Sequence, residues 1–449
     1  MLKSINPATN KLIKEYSVYS NDKVQKIMSD LSNEFLDWRL QTFKTRKNLL
    51  LEISNKLKSN IDEHSRMISI EMGKPITESK AEILKSIWVI EYYAKNAEKF
   101  LEKEFIDTEY SESYVQFEPL GVILGIMPWN FPYWQVFRFI SPALMAGNVC
   151  LLKHAPNVSG CAVLIEDLFK DSAFKGVFKN IFVDVSSIPG IISDKNIKAV
   201  SFTGGEVGGS NVAMLAGKEI KKTVLELGGS DSFIVLNDAN IDLASKAAVT
   251  ARFLNAGQSC IAAKRFLVHE DVYDDFVLKS KHLISNLVIG DPLKKETQIG
   301  PLSKIEFAEK IDYIVQNSIN KGAVCLVGGK RDGAYYYPTL LVDVDESMQV
   351  FNCETFGPVF CVMKIKDFNH AIEIANNSEY GLGGSVWGED LNVAKNVANQ
   401  IETGSVYIND FMKSDPRMPF GGVKKSGYGL ELSKYGIREF INMKSIVVK

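Results

Sequence analysis

One cysteine in this chain stands where a nucleophile could work. In Asn255-Ala256-Gly257-Gln258-Ser259-Cys260-Ile261-Ala262-Ala263-Lys264, Cys260 follows a Gly-Gln-Ser turn at the end of a helical pattern running from about Asp242 to Leu254. A glycine just before a cysteine lets the backbone approach a ligand and leaves amide N–H groups free to meet developing negative charge. Upstream, Leu225-Glu226-Leu227-Gly228-Gly229 sets one carboxylate in an apolar run beside a glycine pair. Apolar surroundings raise a carboxyl pKa, which suits a general base working near neutrality. Each residue also has a plainer reading, as a small buried hydrophobe for Cys260 and a loop charge for Glu226.

Two more stretches have the chemistry of a site. In Pro128-Trp129-Asn130-Phe131-Pro132 an Asn follows a buried strand and opens a helix, so its amide could aim at an oxyanion or simply cap the helix. In Phe202-Thr203-Gly204-Gly205-Glu206-Val207-Gly208-Gly209 a strand ends in glycines and a helix begins. A helix N-terminus offers free N–H groups to a pyrophosphate, although this spacing is not Gly-x-Gly-x-x-Gly and a plain strand-to-helix turn reads as well.

These residues need elements to hold them. From Gly121 onward short apolar strands alternate with helices: Gly121 to Met127, Trp134 to Met145, Val149 to Lys153, Val158 to Phe169, then strands near Asn180, Ala199 and Lys222 around a helix from Glu206. A second series starts at Ser232 and runs through the Cys260 turn, the Arg265 to His269 strand and a helix at Phe307 to Lys321, to Ser405–Ile408. Repeated units of this kind predict parallel sheets covered by helices. Residues 20–104 read as helical, broken at Gly73-Lys74-Pro75; 106–119 becomes strand-like, an edge suited to pairing with another subunit. A helix is expected over Glu431–Phe440 and a last strand over Lys444–Val448.

Composition narrows the function classes. The 449 residues are 46% hydrophobic and 24% charged with a formal charge of −2, which gives no basic excess for nucleic acid. No apolar run reaches membrane-spanning length, and the start lacks a secretory signal's apolar core. Six cysteines (150, 161, 260, 325, 353, 361) show neither paired nor metal-ligand spacing, so no metal site is indicated and a reduced, cytoplasmic protein is expected.

Taken together, Cys260, Glu226, Asn130, the Thr203-Gly204-Gly205 turn and Glu354-Thr355-Phe356-Gly357-Pro358 fall in the order and at the spacings of the aldehyde dehydrogenase superfamily, which the chain resembles from about Asn6 to its end. With Trp134-Gln135-Val136 and Leu151–Val158 it resembles the short bacterial and archaeal succinate-semialdehyde dehydrogenases. The resemblance implies two Rossmann-like parallel-sheet domains and a small β oligomerisation arm. Residues 1–105 and 121–228 would bind NAD(P), 229–412 would form the catalytic domain, and 106–120 with 413–449 the arm and C-terminal segment.

It further implies that Cys260 adds to an aldehyde carbon, that Asn130 and the Cys260 N–H hold the oxyanion, and that Glu226 activates the water that hydrolyses the resulting thioester. Trp129, Lys153, Pro156, Thr203, Gly204, Gly205, Gly208, Leu227, Glu354 and Phe356 would surround the cofactor, with Lys153 and Glu354 as a ribose-binding pair. Pro156 stands where many NAD-preferring relatives carry a Glu, so NADP or NAD should both be accepted. Arg138, eight residues after Asn130, matches a carboxylate-binding Arg. Trp134, Ser259, Lys413 and Ser414 complete the expected substrate set, with Arg417 nearby. Leu254 replaces a second Arg of some relatives, Gly205 a usual Ser, Ser232 a usual Pro and Leu430 a common Arg.

The expected reaction is oxidation of succinate semialdehyde to succinate, in a homodimer or homotetramer. Alternatives are a broader oxidiser of small aldehydes such as glyceraldehyde or lactaldehyde, a CoA-acylating relative (a branch that lacks the base Glu) and a non-catalytic protein of the same fold.

Overall fold

Two parallel sheets carry the chain, described over residues 1–449 in a computed structural model. The first has the spatial order Gly427–Tyr428, Lys222–Glu226, Ile197–Thr203, Val122–Met127, Val149–His154, Phe178–Asn180. Its strands are parallel except Gly427–Tyr428, which lies antiparallel on Lys222–Glu226. Every residue of Val122–Met127 and Val149–His154 is buried, as strands covered on both faces must be. The order reverses beside Val122–Met127: the chain first moves outward to Phe178–Asn180, then returns to the other flank at Ile197–Thr203. Loops leaving the C-terminal ends of those two neighbours diverge, and a crevice opens between them.

The second sheet has the order Val324–Val327, Thr339–Val342, Val359–Ile365, Arg265–His269, Ser232–Val235, Gly383–Trp387, Ser405–Ile408. It is parallel apart from the Val324–Val327 edge. Each sheet anchors its own apolar core, one centred on residues such as Ile123, Leu151 and Val200, the other on Phe233, Leu267 and Phe360.

Four helices precede the first sheet: Asn21–Trp38, Phe43–Ser59, Ile61–Met72 and Ile76–Phe100. Thr42 starts the second by accepting from Thr45 N, and Gly73 ends the third in the left-handed region at φ 85°. No helix is long and apolar enough to cross a membrane. The ribbon expected near 106–119 forms as Glu112–Pro119, but its neighbour is this chain's own C-terminal strand, Ile441–Val448, in continuous antiparallel register. The helix expected over Glu431–Phe440 shrinks to Ser433–Gly436. Leu432 and Ser433 both have positive φ, and Glu431 pairs its backbone with Phe420 in both directions, so a helix cannot begin at Glu431.

Candidate active site

The crevice of the first sheet holds a cavity of about 310 Å³ facing the second. Its near wall is Pro128, Trp129 and Asn130 from one diverging loop, Thr203, Gly204 and Gly205 from the other, and Leu227 and Gly228 beyond the next strand. Its far wall is Cys260, Glu354 and Phe356. Five separate stretches of sequence therefore meet on one space. Gln135, Phe307, Lys310 and Ile311 also line it, and none of these was expected from sequence.

The turn carrying Cys260 is bent by three successive left-handed residues, Asn255 (φ 55°), Ala256 (φ 51°) and Gly257 (φ 74°). Gly257 has no alternative, because a Cβ there would run into the Gly357 carbonyl. Two buried cations hold the turn. Lys264 Nζ donates to the carbonyls of Ser259 (3.1 Å), Cys260 (2.8 Å) and Ala262 (3.0 Å), and lies 3.7 Å from Glu354 Oε1. Arg252 donates to the carbonyls of Ala263 (3.1 Å), Thr355 (2.7 Å) and Gly357. The nucleophile turn and the Glu354–Phe356 segment are thus tied together from beneath. The Cys260 N–H makes no hydrogen bond and stays available to a ligand.

Asn130 is oriented by a network. Gln135 Nε2 donates to Asn130 Oδ1 (3.2 Å), which turns the Asn130 amide nitrogen toward the cysteine turn. That nitrogen donates one hydrogen to the Gln258 carbonyl at 3.0 Å, and its second hydrogen is unused. Glu82 supports the same segment by accepting from Tyr133 N (2.8 Å) and Trp134 N (3.1 Å), at the start of the helix Trp134–Ala146. Its own charge is met by buried Lys74.

Burial governs the acids of the site. The Cys260 thiol is pushed up to about 12 by burial, against the pull of Arg138 and Lys264, while Glu354 and Glu226 add to the rise. Glu226, 2% exposed, is raised well above the carboxylate range by burial and by neighbouring Glu431, with Arg138 opposing. Both of its carboxylate oxygens lack a partner. It stands at the end of its strand, behind the cavity rather than on its wall.

The groove suits a dinucleotide. Thr203 Oγ1 is buried without a partner, and space around Gly205 is open where the helix Glu206–Lys218 begins. Gly208 lies over the Phe202 ring, where a Cβ would sit 2.8 Å from Cζ. Glu354 accepts from Gly229 N at 3.0 Å with a carboxylate that still borders the cavity. Trp129 stacks on Phe307 (5.2 Å between centroids) and meets Phe356 edge-on (5.8 Å), forming an aromatic wall. Lys153 and Pro156 do not reach this cavity. Lys153 lies one residue before the end of its strand, beside Ile126, buried and lowered in pKa by that burial, and exposed Pro156 opens the following helical turn.

The expected substrate residues divide. Trp134 and Ser414 are buried together through Lys85, whose Nζ sits 4.3 Å over the Trp134 ring and donates to Ser414 Oγ at 2.7 Å. Ser259 is buried with its carbonyl on Lys264. Arg138, 3% exposed, is ion-paired with Glu431 and stacked against Phe420 (4.7 Å), so one edge of its guanidinium is already engaged. Lys413 and Arg417 are exposed and pair with Asp410 (2.6 Å) and Asp415 (2.6 Å). Nothing in the local sequence of Lys85 or Glu431 signals a place here; only the packing reveals it.

Comparison with known proteins gives a consistent result. The aldehyde dehydrogenase family matches residues 1–446. A succinate-semialdehyde dehydrogenase [NADP(+)] of Mycobacterium ulcerans is 44% identical over 451 residues, covering 99% of this chain and 98% of that protein. An aldehyde dehydrogenase of Paenarthrobacter nicotinovorans is 42% identical over 455 residues, with the same two coverages. The crystal structure of succinic semialdehyde dehydrogenase from Streptococcus pyogenes in complex with NADP+ superposes with a TM-score of 0.97 at 34% identity, covering all of both chains.

Proposed function

Because the chain belongs to the aldehyde dehydrogenase family, we propose that it oxidises succinate semialdehyde to succinate with NADP or NAD. The observation that carries this reading is the meeting of Cys260, Asn130 and the Thr203–Gly205 turn on one cavity. Thr203, Gly204, Gly205, Gly208, Leu227 and Glu354 would hold the cofactor, with Phe356 bordering the nicotinamide, Trp129 near the adenine-side channel, and Lys153 and Pro156 nearer its adenosine. When bound, a nicotinamide dinucleotide supplies the acceptor for the hydrogen and electron pair lost by the aldehyde carbon.

The chain's own residues account for the other steps. Cys260 Sγ, once deprotonated, bonds to the aldehyde carbon and converts its oxygen to an alkoxide. The spare hydrogen of Asn130 Nδ2 and the free Cys260 N–H stabilise that charge. After oxidation leaves an acyl group on the sulfur, Glu226 takes a proton from water. The resulting hydroxide attacks the thioester carbon, the C–S bond breaks and the acid departs. Glu226 also argues against a CoA-acylating relative.

Residues 1–105 and 121–228 would then serve the cofactor, 229–412 the nucleophile. Within 413–449 the arm proper is Ile441–Val448, since Phe420 and Glu431 return to the site. Exposed Phe105, Met443 and Val447 on the three-stranded sheet favour a homodimer or homotetramer built through it. Six free cysteines agree with a cytoplasmic setting. A broader aldehyde range is the second reading, favoured by the engagement of Arg138 with Glu431.

The decisive variant is Cys260→Ala: oxidation should vanish while fluorescence titration still detects cofactor binding. Substantial turnover in that variant would overturn the mechanism.

A further inference from the structure

Lys85 projects from the helix Ile76–Phe100, three residues beyond the Glu82 that caps the Trp134–Ala146 helix. It is partly buried and makes no ion pair. Its ammonium has three donors, and one reaches a hydroxyl, Ser414 Oγ at 2.7 Å. The indole of Trp134 lies beneath at 4.3 Å and fixes where the charge sits.

The charges around it are unbalanced. Arg138 and Lys74 add positive potential, Glu82 and Asp415 negative. Both carboxylates are committed, Glu82 to Lys74 and Asp415 to Arg417. Arg138 is ion-paired through Nε with Glu431, and its Nη2 on the same edge is buried without a hydrogen-bond partner. Lys85 therefore stands near a second cation with no carboxylate paired to its own ammonium, an arrangement a substrate carboxylate would complete.

The pair also lies in the right direction from the nucleophile. Arg138 follows Gln135 by one helical turn, Gln135 lines the Cys260 cavity, and Arg138 is the strongest positive influence on the Cys260 thiol. We infer that Lys85, held by Ser414 and Trp134 beside Arg138, binds the distal carboxylate of the substrate. This rests on the reading of the substrate as a carboxylate-bearing aldehyde, and it supplies the second cation that Leu254 and Lys413 do not. Burial, with Arg138 next, pushes the Lys85 ammonium down to about 8, which fits a cation awaiting its counter-ion.

The test uses the full-length enzyme with succinate semialdehyde and with butanal, its uncharged counterpart. Lys85→Met should raise KM for succinate semialdehyde about 30-fold, in the range expected for one lost hydrogen bond to a charged group, with kcat changed less than about three-fold. Its kcat/KM for butanal should hold steady or rise, and Lys85→Arg should restore most of the discrimination. Succinate, as a competitive inhibitor, should weaken in parallel with the substrate. Equal losses on both aldehydes, or an unchanged KM for succinate semialdehyde, would overturn the assignment while leaving the substrate reading intact. A parent enzyme that handles butanal as well as succinate semialdehyde would overturn the substrate reading itself. Should Lys85→Met fail to fold, Ser414→Ala serves instead: a several-fold KM increase confined to the carboxylate substrate supports the role, and no selective change refutes it.

Discussion

Asn255 donates its side-chain amide to the backbone carbonyl of Asn130 at 2.8 Å, joining the cysteine turn of one sheet to the oxyanion loop of the other. The same nitrogen reaches the Gln258 carbonyl at 3.1 Å, the acceptor that Asn130 Nδ2 also uses. From the backbone side, Asn255 N donates to Glu78 Oε2 at 2.7 Å. Asn255, which does not line the cavity, therefore helps to set nucleophile and oxyanion donor relative to each other.

Asn255→Ala should cost about 2–3 kcal/mol of stability, from two lost buried hydrogen bonds and a methyl side chain held at φ 55°. It should lower kcat about 10- to 100-fold, with cofactor affinity moved much less. Asn255→Gly should recover about 1 kcal/mol by removing the left-handed strain, and none of the rate. Urea denaturation and steady-state kinetics separate the two contributions; a rate recovered by Gly would place the defect in the backbone.

The residues of that network show what a linear reading can and cannot see. Cys260, Glu226, Asn130, Thr203 and Glu354 stood out because each sits in a run of unusual local chemistry, glycines and prolines at strand ends. Strand positions were legible for a similar reason, since strands buried on both faces are continuous apolar runs. Lys85 gives no such sign. It occupies a polar position in a helix rich in Lys and Glu, and its partner Ser414 is 329 residues away. Glu431 looked like the first residue of a helix because its left-handed successors, Leu432 and Ser433, are of types that rarely adopt that conformation. Arg138 was read as free to meet a substrate; its ion pair with Glu431 depends on a loop that returns from the far end of the chain.

Glu226→Gln should separate the two halves of the reaction. One rapid turnover of hydride transfer is expected, followed by a stall with acyl-enzyme visible by mass spectrometry. The raised pKa of Glu226 has a further consequence: its base form, and with it hydrolysis, should grow as pH rises. A plot of kcat against pH should climb in the parent enzyme and lose that limb in the variant. An unchanged steady-state rate for Glu226→Gln would remove the residue from the mechanism.

Cofactor tolerance is attributed to what Pro156 lacks. Introducing a carboxylate with Pro156→Glu should repel a ribose 2′-phosphate by about 1–2 kcal/mol at this exposed position, a roughly 10-fold loss in kcat/KM for NADP. The value for NAD should change less than about three-fold. Equal effects on both cofactors would move the phosphate away from Pro156.

Two histidines beside the oxyanion loop should set the acid limit of stability. His154 accepts from Ala155 N through Nδ1 (2.9 Å), so its Nε2 carries the proton and donates to the Pro132 carbonyl at 2.9 Å. His64 Nδ1 lies 2.7 Å from the Tyr133 hydroxyl. Burial pushes both down to about 4 from an ordinary 6.5. Between those values the unfolded chain binds the protons and the folded chain does not, so acid favours unfolding. Stability from each neutral ring is present above about pH 6.5 and declines as pH falls toward 4, by on the order of 3 kcal/mol per histidine. The unfolding free energy measured by urea titration should therefore drop steadily from pH 7 to pH 4.5. His154→Gln, which retains a donor but cannot be protonated, should flatten that slope, and a slope unchanged in the variant would assign the acid sensitivity to other groups.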